Sequence, residues 1–216
     1  MPPPERPSTG PTDPVVVVLT GGASRRMGSH KPLLEVAGRP IVARVLEAAG
    51  DWPALVVGPT QGVPDGIRAV LEPVPGGGPV AGLAAGVAAL ADEDQAPEAL
   101  VVLAADLPFV THEHVARLVA ALAGPPSTYA AAPPPEAADL AVTVTADGRT
   151  NWLCAAWRLP ALRARLEQVG DAYGASMRRL CADVPTALVD DPDEVALDVD
   201  TPADLDHARG RAEGRS

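Results

Sequence analysis

Short β-branched apolar runs alternate along this chain with stretches whose apolar residues recur at helical spacing. Residues 15–19, Val-Val-Val-Val-Leu, are closed by Gly21-Gly22, the pattern of a strand buried on both faces. In residues 39–50 the apolar positions return to one helical face, with Pro40 near the start and Gly50 past the end, the usual punctuation of a helix. Residues 54–58 and 67–71 predict two further strands. At 76–91 a glycine loop runs into a helix of small residues. Residues 99–108 form another apolar strand, stopped by Asp106 and Pro108. A helix over 111–123 follows, with Thr111 placed to cap it.

After residue 124 the pattern changes. Residues 141–145, an Asp147-Gly148 turn and residues 152–157 spell a β-hairpin. Helical stretches follow near 159–168 and 174–182, then strands at 186–190 and 195–200, and a last helix from about Pro202. Residues 131–139 are a proline-rich excursion that reads as a mobile loop.

Strands alternating with helices predict an α/β fold, a Rossmann-like doubly wound, mostly parallel sheet with helices on both faces and an antiparallel C-terminal extension. Residues 1–14 hold six prolines and no apolar run and read as a disordered leader. One domain is expected over 15–212, with a first half at 15–123, a second half at 124–212 and a tail at 213–216.

Composition narrows the partners. The formal net charge is −11, which disfavours nucleic acid and anionic membranes, so an anionic ligand needs a local cluster of positive charge. Aromatic residues are 3% against 47% hydrophobic in all, so the core must be Val, Leu and Ala. Cys154 and Cys181 have no second Cys or His at ligand spacing, which predicts two half-buried thiols in a reducing cytoplasm rather than a zinc site or disulfide.

In a parallel sheet, ligands bind beyond the carboxyl ends of the strands. Leu19–Thr20–Gly21–Gly22, the glycines at 76–78, Asp106, and Asp198 with Asp200 all fall at such ends. The loop after the first strand, Leu-Thr-Gly-Gly-Ala-Ser-Arg-Arg-Met-Gly-Ser-His-Lys at 19–31, fits neither the nucleotide-loop nor the dinucleotide glycine template. Its adjacent glycines expose amides to anionic oxygens, and Arg25, Arg26 and Lys31 add charges that would grip a triphosphate. Plain turns also use Gly-Gly, and basic residues are commonly just solvated, so the residues alone leave both readings open. Lys31 is the sole lysine among seventeen basic residues, and lysine, unlike the rigid arginine fork, can follow a moving phosphate.

Asp106 ends an otherwise apolar strand, where a carboxylate is costly unless it reaches the crevice. As a magnesium ligand it would need one more carboxylate, or only phosphates and water. Asp198 and Asp200 point to one face of an extended chain, and either would serve; Asp200 also suits the cap of the final helix. His112 and His114 stand two apart on a helix, too divergent for joint ligation, and read as surface residues.

The blocks at 19–41, 76–90, 103–110 and 198–205 resemble, in order and spacing, the signature of nucleotidyltransferases of the MobA group, the molybdenum cofactor guanylyltransferases. The likeness spans roughly residues 15–208. It implies that the Leu19–Gly22 backbone and the Gly78–Gly82 segment hold the guanosine of GTP, that Arg26 and Lys31 bind the triphosphate, and that Asp106, with Asp200, holds Mg²⁺. It further implies transfer of GMP to the terminal phosphate of molybdopterin with release of pyrophosphate, and a recipient molybdoenzyme or its chaperone as a partner.

The chain departs from the family pattern in three places. Glu72-Pro73 stands where aspartate is usual, Gly58 where a small polar residue is, and Asp198-Val199-Asp200 looks more like the cytidylyl relatives. Gly21 pulls back toward guanylyl transfer. A CTP-dependent molybdopterin cytidylyltransferase, a sugar-phosphate nucleotidyltransferase and a non-enzymatic nucleotide sensor or cofactor chaperone are the competing readings.

Overall fold

The valine run becomes β1 (Pro14–Leu19), six residues all buried, an interior strand of a seven-stranded sheet. The computed structural model describes residues 14–21, 33–91, 97–127 and 137–214. Residues 1–13 of the expected leader, residues 131–136 of the proline-rich stretch, and Gly22, Arg25, Arg26 and Lys31 of the glycine loop lie outside the described residues. The elements in chain order are β1, β2 (Glu35–Val36), β3 (Arg39–Pro40), α1 (Ile41–Glu47), β4 (Ala54–Val57), β5 (Arg68–Val70), α2 (Pro79–Ala89), β6 (Ala99–Ala104), α3 (His112–Ala121), β7 (Leu140–Val144), β8 (Thr150–Arg158), α4 (Leu159–Val169), α5 (Met177–Cys181), β9 (Thr186–Asp190) and α6 (Pro202–Glu213).

Strand order is β5-β4-β1-β6-β8-β7-β9. β1 pairs in parallel with β4 and β6, and β4 with β5. β8 alone runs antiparallel, against both β6 and β7, while β7 and β9 pair in parallel. The predicted C-terminal extension is therefore fully joined to the sheet, and its antiparallel element is one strand.

Alternation along the central strands sends Val15, Val17, Leu19, Leu100 and Val102 to one face, with α2, α4 and α5, and Val16, Val18, Val101 and Leu103 to the other, with α1, α3 and α6. Small residues set the spacing of the layers. A Cβ on Gly86 of α2 would lie 3.1 Å from Val17 Cγ1 and 3.3 Å from Val57 Cγ2, so glycine lets α2 lie close over β1 and β4.

The expected strand at 195–200 does not form; the ladder ends at Asp190. The physical reason is Asp191, 1% exposed, whose two carboxylate oxygens accept from the Val195 and Ala196 amides at 2.9 and 2.8 Å. Those amides are thus taken by a side chain and not by a neighbouring strand. The segment still packs inward, with Val199 fully buried.

Candidate functional site

Main-chain bonds stitch the carboxyl ends of the central strands into one row. The Ala105 amide donates to the Leu19 carbonyl at 3.1 Å, the Thr20 amide to Val57 at 3.0 Å and the Gly58 amide to Val70 at 2.9 Å. Asp106, two residues past β6, receives the Val199 amide on its own carbonyl at 3.0 Å. Residues 19–21, 58, 72, 106 and 198–200, far apart in the chain, therefore share one edge of the sheet.

Gly58, one of the departures, has φ +117°, and a Cβ there would lie 2.7 Å from the Gly21 nitrogen and 2.7 Å from Thr20 Oγ1. The absent side chain leaves the room Thr20 uses. Its hydroxyl donates to the Pro59 carbonyl at 2.7 Å, with the Val57 carbonyl 3.2 Å away. So the buried Thr20 hydroxyl is spent inside the fold, and what Leu19–Gly21 present outward is backbone, with Gly21 itself exposed.

Beyond β5 stands Glu72, whose carboxyl group fills the space left by two glycines. A Cβ on Gly21 would lie 2.9 Å from Glu72 Oε1, and one on Gly82 3.3 Å from the same atom. Its other oxygen, Oε2, is buried with no hydrogen-bond partner among the described residues. A buried carboxylate oxygen without a donor is costly, and this one lies in the cradle formed by the two segments predicted to hold a nucleoside. Residue-level reading noted Glu72 only as a departure; its distance from both glycines in the chain hid the contact.

Gly78, at φ +85°, is the N-cap of α2, where no side chain caps the helix and Pro79 occupies the first turn. The positive φ fits glycine, and the first amides of the helix have no side-chain cap. Gly82 follows one turn later, buried.

Asp106 is half-buried, and Asp198 and Asp200 are exposed on either side of the buried Val199. The cap of α6 belongs to Thr201 and Asp204, which form a capping box; Asp204 also accepts from the Asp200 amide at 3.0 Å. Capping therefore does not use the Asp200 carboxylate. Among the described residues no three His, Cys, Asp or Glu side chains form a metal cage. One carboxylate beside an exposed acidic segment instead suits a divalent cation of the kind that takes one or two carboxylates and completes its shell with phosphates and water.

In the second half, a cleft of about 530 Å³ opens between the β7–β8 turn, the start of α5 and the 191–198 segment, lined among others by Arg149, Asn151, Trp152, Met177 and Asp198. Asn151 is fixed by donating to the Ala196 carbonyl at 3.1 Å and accepting from the Leu153 amide at 3.0 Å. Asp198 thus borders the cleft and flanks the residue tied to Asp106.

His114, read from the sequence as a surface residue, is 1% exposed. Thr143 Oγ1 donates to the Cys154 carbonyl at 2.8 Å and so accepts from His114 Nε2, also at 2.8 Å, while Arg117 donates to Nδ1 at 2.8 Å. The ring is neutral with its proton on Nε2. Burial lowers its pKa, opposed by Asp191 and reinforced by Arg117. The expectation failed because a buried helix face can hold a histidine once both ring nitrogens have partners. His112 is exposed, its Nδ1 3.2 Å from the Ala48 carbonyl. Both cysteines are free and buried, more so than expected.

The family model for the MobA-like NTP transferase domain matches residues 16–187. A molybdenum cofactor guanylyltransferase of Rhodobacter capsulatus is 30% identical over 207 residues, covering 90% of this chain and 94% of that one. Two solved structures share the fold. Molybdopterin-guanine dinucleotide biosynthesis protein A from Archaeoglobus fulgidus has a TM-score of 0.70 at 19% identity, covering 93% of this chain and 99% of that one. The 2-C-methyl-D-erythritol 4-phosphate cytidylyltransferase from Thermus thermophilus has a TM-score of 0.63 at 21% identity, covering 94% and 100%.

Proposed function

This chain belongs to the MobA-like NTP transferase family, and from that premise we propose that it transfers GMP from GTP to the terminal phosphate of molybdopterin and releases pyrophosphate. The observation that carries the reading is the shared edge on which the Leu19–Gly21 backbone, Asp106 and residues 198–200 meet. It supports a nucleotide lying across β1 and β6 with its phosphates beside Asp106.

In this reading an oxygen of the acceptor phosphate attacks the α-phosphorus in line. The bond from that phosphorus to the bridging oxygen breaks, and pyrophosphate departs with its electron pair. The chain has only to position two phosphates and neutralise their charge, with no covalent nucleophile of its own. Arg26 and Lys31 hold the triphosphate, Gly78 and Gly82 the nucleoside, and Asp106, with Asp200 or Asp198, holds Mg²⁺. When bound there, the ion supplies charge stabilisation to the phosphoryl oxygens. The acceptor-binding half at 124–212 offers the 530 Å³ cleft for the pterin end. The reaction belongs to the cytoplasm, and its product passes to a recipient molybdoenzyme or its chaperone.

Base choice rests on Glu72. A carboxylate accepts two parallel N–H donors, one on each oxygen, which guanine offers at N1 and N2; the Glu72 carboxyl group beside Gly21 and Gly82, with Oε2 unpartnered among the described residues, supports that pairing. The second reading, CTP as donor, is favoured by Asp198-Val199-Asp200 alone.

A thermal-shift panel of GTP, CTP, ATP and UTP, with and without Mg²⁺, tests the donor: GTP should raise the melting temperature most. Pyrophosphate release from GTP, Mg²⁺ and molybdopterin, against a Lys31→Ala control, tests the reaction. Release no faster than the control rejects it, and binding without turnover would favour a sensor or chaperone.

A further inference from the structure

Among the described residues Tyr173 is the one exposed large aromatic side chain, at 56% exposure, in a chain with few aromatics to spend. Its position is tightly specified. Gly170 and Gly174, at φ +72° and +69°, bracket the loop between α4 and α5, and both have open space where a side chain would stand, so conformation and not crowding calls for glycine. Asp171 Oδ1 accepts the Tyr173 amide at 2.9 Å, and the Gly174 amide donates to the Gly77 carbonyl at 2.8 Å. The ring lies on the buried Gly77, its Cδ2 3.1 Å from where a Cβ would be.

The topology explains how the ring arrives there. α4 starts at the amino end of β6, where the Leu159 amide donates to the Glu98 carbonyl at 3.0 Å. It runs back along the sheet and delivers residues 170–174 to the carboxyl edge. One side of that loop touches Gly77, next to the cap of α2. Past the loop, the first residue of α5, Met177, lines the 530 Å³ cleft. Tyr173 thus stands against the glycine loop, four residues before Met177 of the cleft wall.

We infer that Tyr173 is a positioning residue for the acceptor, its exposed ring forming the plate against which a flat, phosphate-bearing heterocycle rests while its phosphate approaches the α-phosphate. This rests on the reading that the glycine loop holds the nucleotide and the cleft takes the acceptor. A ring that merely covered Gly77 would need only apolar bulk, whereas a plate needs an aromatic face.

The test measures acceptor KM by pyrophosphate release from GTP, Mg²⁺ and molybdopterin, together with the GTP-induced melting shift, for wild type, Tyr173→Phe, Tyr173→Leu and Tyr173→Ala. Loss of a stacking contact should raise acceptor KM about tenfold or more in both Leu and Ala variants. The Phe variant should match wild type, and all four should keep the GTP-induced shift. Wild-type KM in the Leu variant reduces Tyr173 to a cover and overturns the inference. So does equal loss in the Phe variant, or a GTP-induced shift lost along with acceptor affinity. Failure of the wild type to release pyrophosphate rejects the functional reading itself, and does so before any variant is compared.

Discussion

The amide of Val199 donates to the main-chain carbonyl of Asp106 over 3.0 Å, joining a segment near the carboxyl end of the chain to the mouth of a central strand. Because the acceptor is the backbone carbonyl, a change of the Asp106 side chain leaves the stitch intact. Asp106→Asn is therefore a test of carboxylate charge at nearly constant shape. Turnover should fall about 100-fold or more, while GTP affinity measured without Mg²⁺ stays near wild type. Equal losses in kcat and in metal-free affinity would contradict a role for that charge in turnover.

Glu72→Gln replaces one acceptor oxygen by a donor in the space beside Gly21 and Gly82. The preference for GTP over CTP, read from the two melting shifts or from competitive binding, should shrink by about 1–3 kcal/mol. An unchanged ratio would remove Glu72 from base recognition.

Gly58→Ala places a methyl group 2.7 Å from Thr20 Oγ1 and the Gly21 nitrogen at a φ of +117°. Relief requires moving the Thr20 side chain and the Gly21 backbone at the start of the glycine loop. Denaturant unfolding should show a loss of about 1–3 kcal/mol, with nucleotide binding weakened alongside. Gly66→Ala, at φ +86° but in open space, is the control that separates backbone strain from crowding.

Stability should depend on pH through His114. Burial lowers its folded pKa below the ordinary 6.5, so the unfolded chain takes up a proton more readily than the folded one. The contribution of the neutral ring is fully present above about pH 6.5 and declines as pH falls toward the folded pKa. The groups facing the ring set the size of the effect, with Asp191 favouring the proton and Arg117 opposing it. Urea unfolding between pH 8 and pH 5 should show this decline, and His114→Gln should flatten it.

The parallel core was legible because each central strand is a continuous apolar run ended by Gly, Asp or Pro, and both flanking layers can be read from helical spacing. Thr111 was legible as a cap, and its side chain does accept the His114 amide at 3.2 Å. Residues 195–200 misled because alternating Val, Leu and Val predict a strand, yet the local competitor, the buried Asp191 carboxylate, bears no mark of its partners in the sequence. His114 misled for a related reason. Its burial depends on Thr143 and on Arg117, and only the second is a neighbour along its own helix.

The candidate site divides the same way. Leu19–Gly21, Gly78, Gly82 and Asp106 are recognisable from motif and strand end and the 198–200 segment from motif alone, and the fold gathers them on one edge. Glu72 and Tyr173 were not recognisable, since each lies against a glycine remote in sequence, and no periodicity records which glycine a side chain will cover.

The two thiols stand on opposite sides of the sheet, Cys154 toward α3 and Cys181 among the residues of α4 and α5, and burial pushes each up to about 12. Neither is a competent nucleophile in the native state. Alkylation of each site then becomes a clock for exposure of its own layer, so mass spectrometry of partially labelled protein can tell whether the layers come apart together or one before the other.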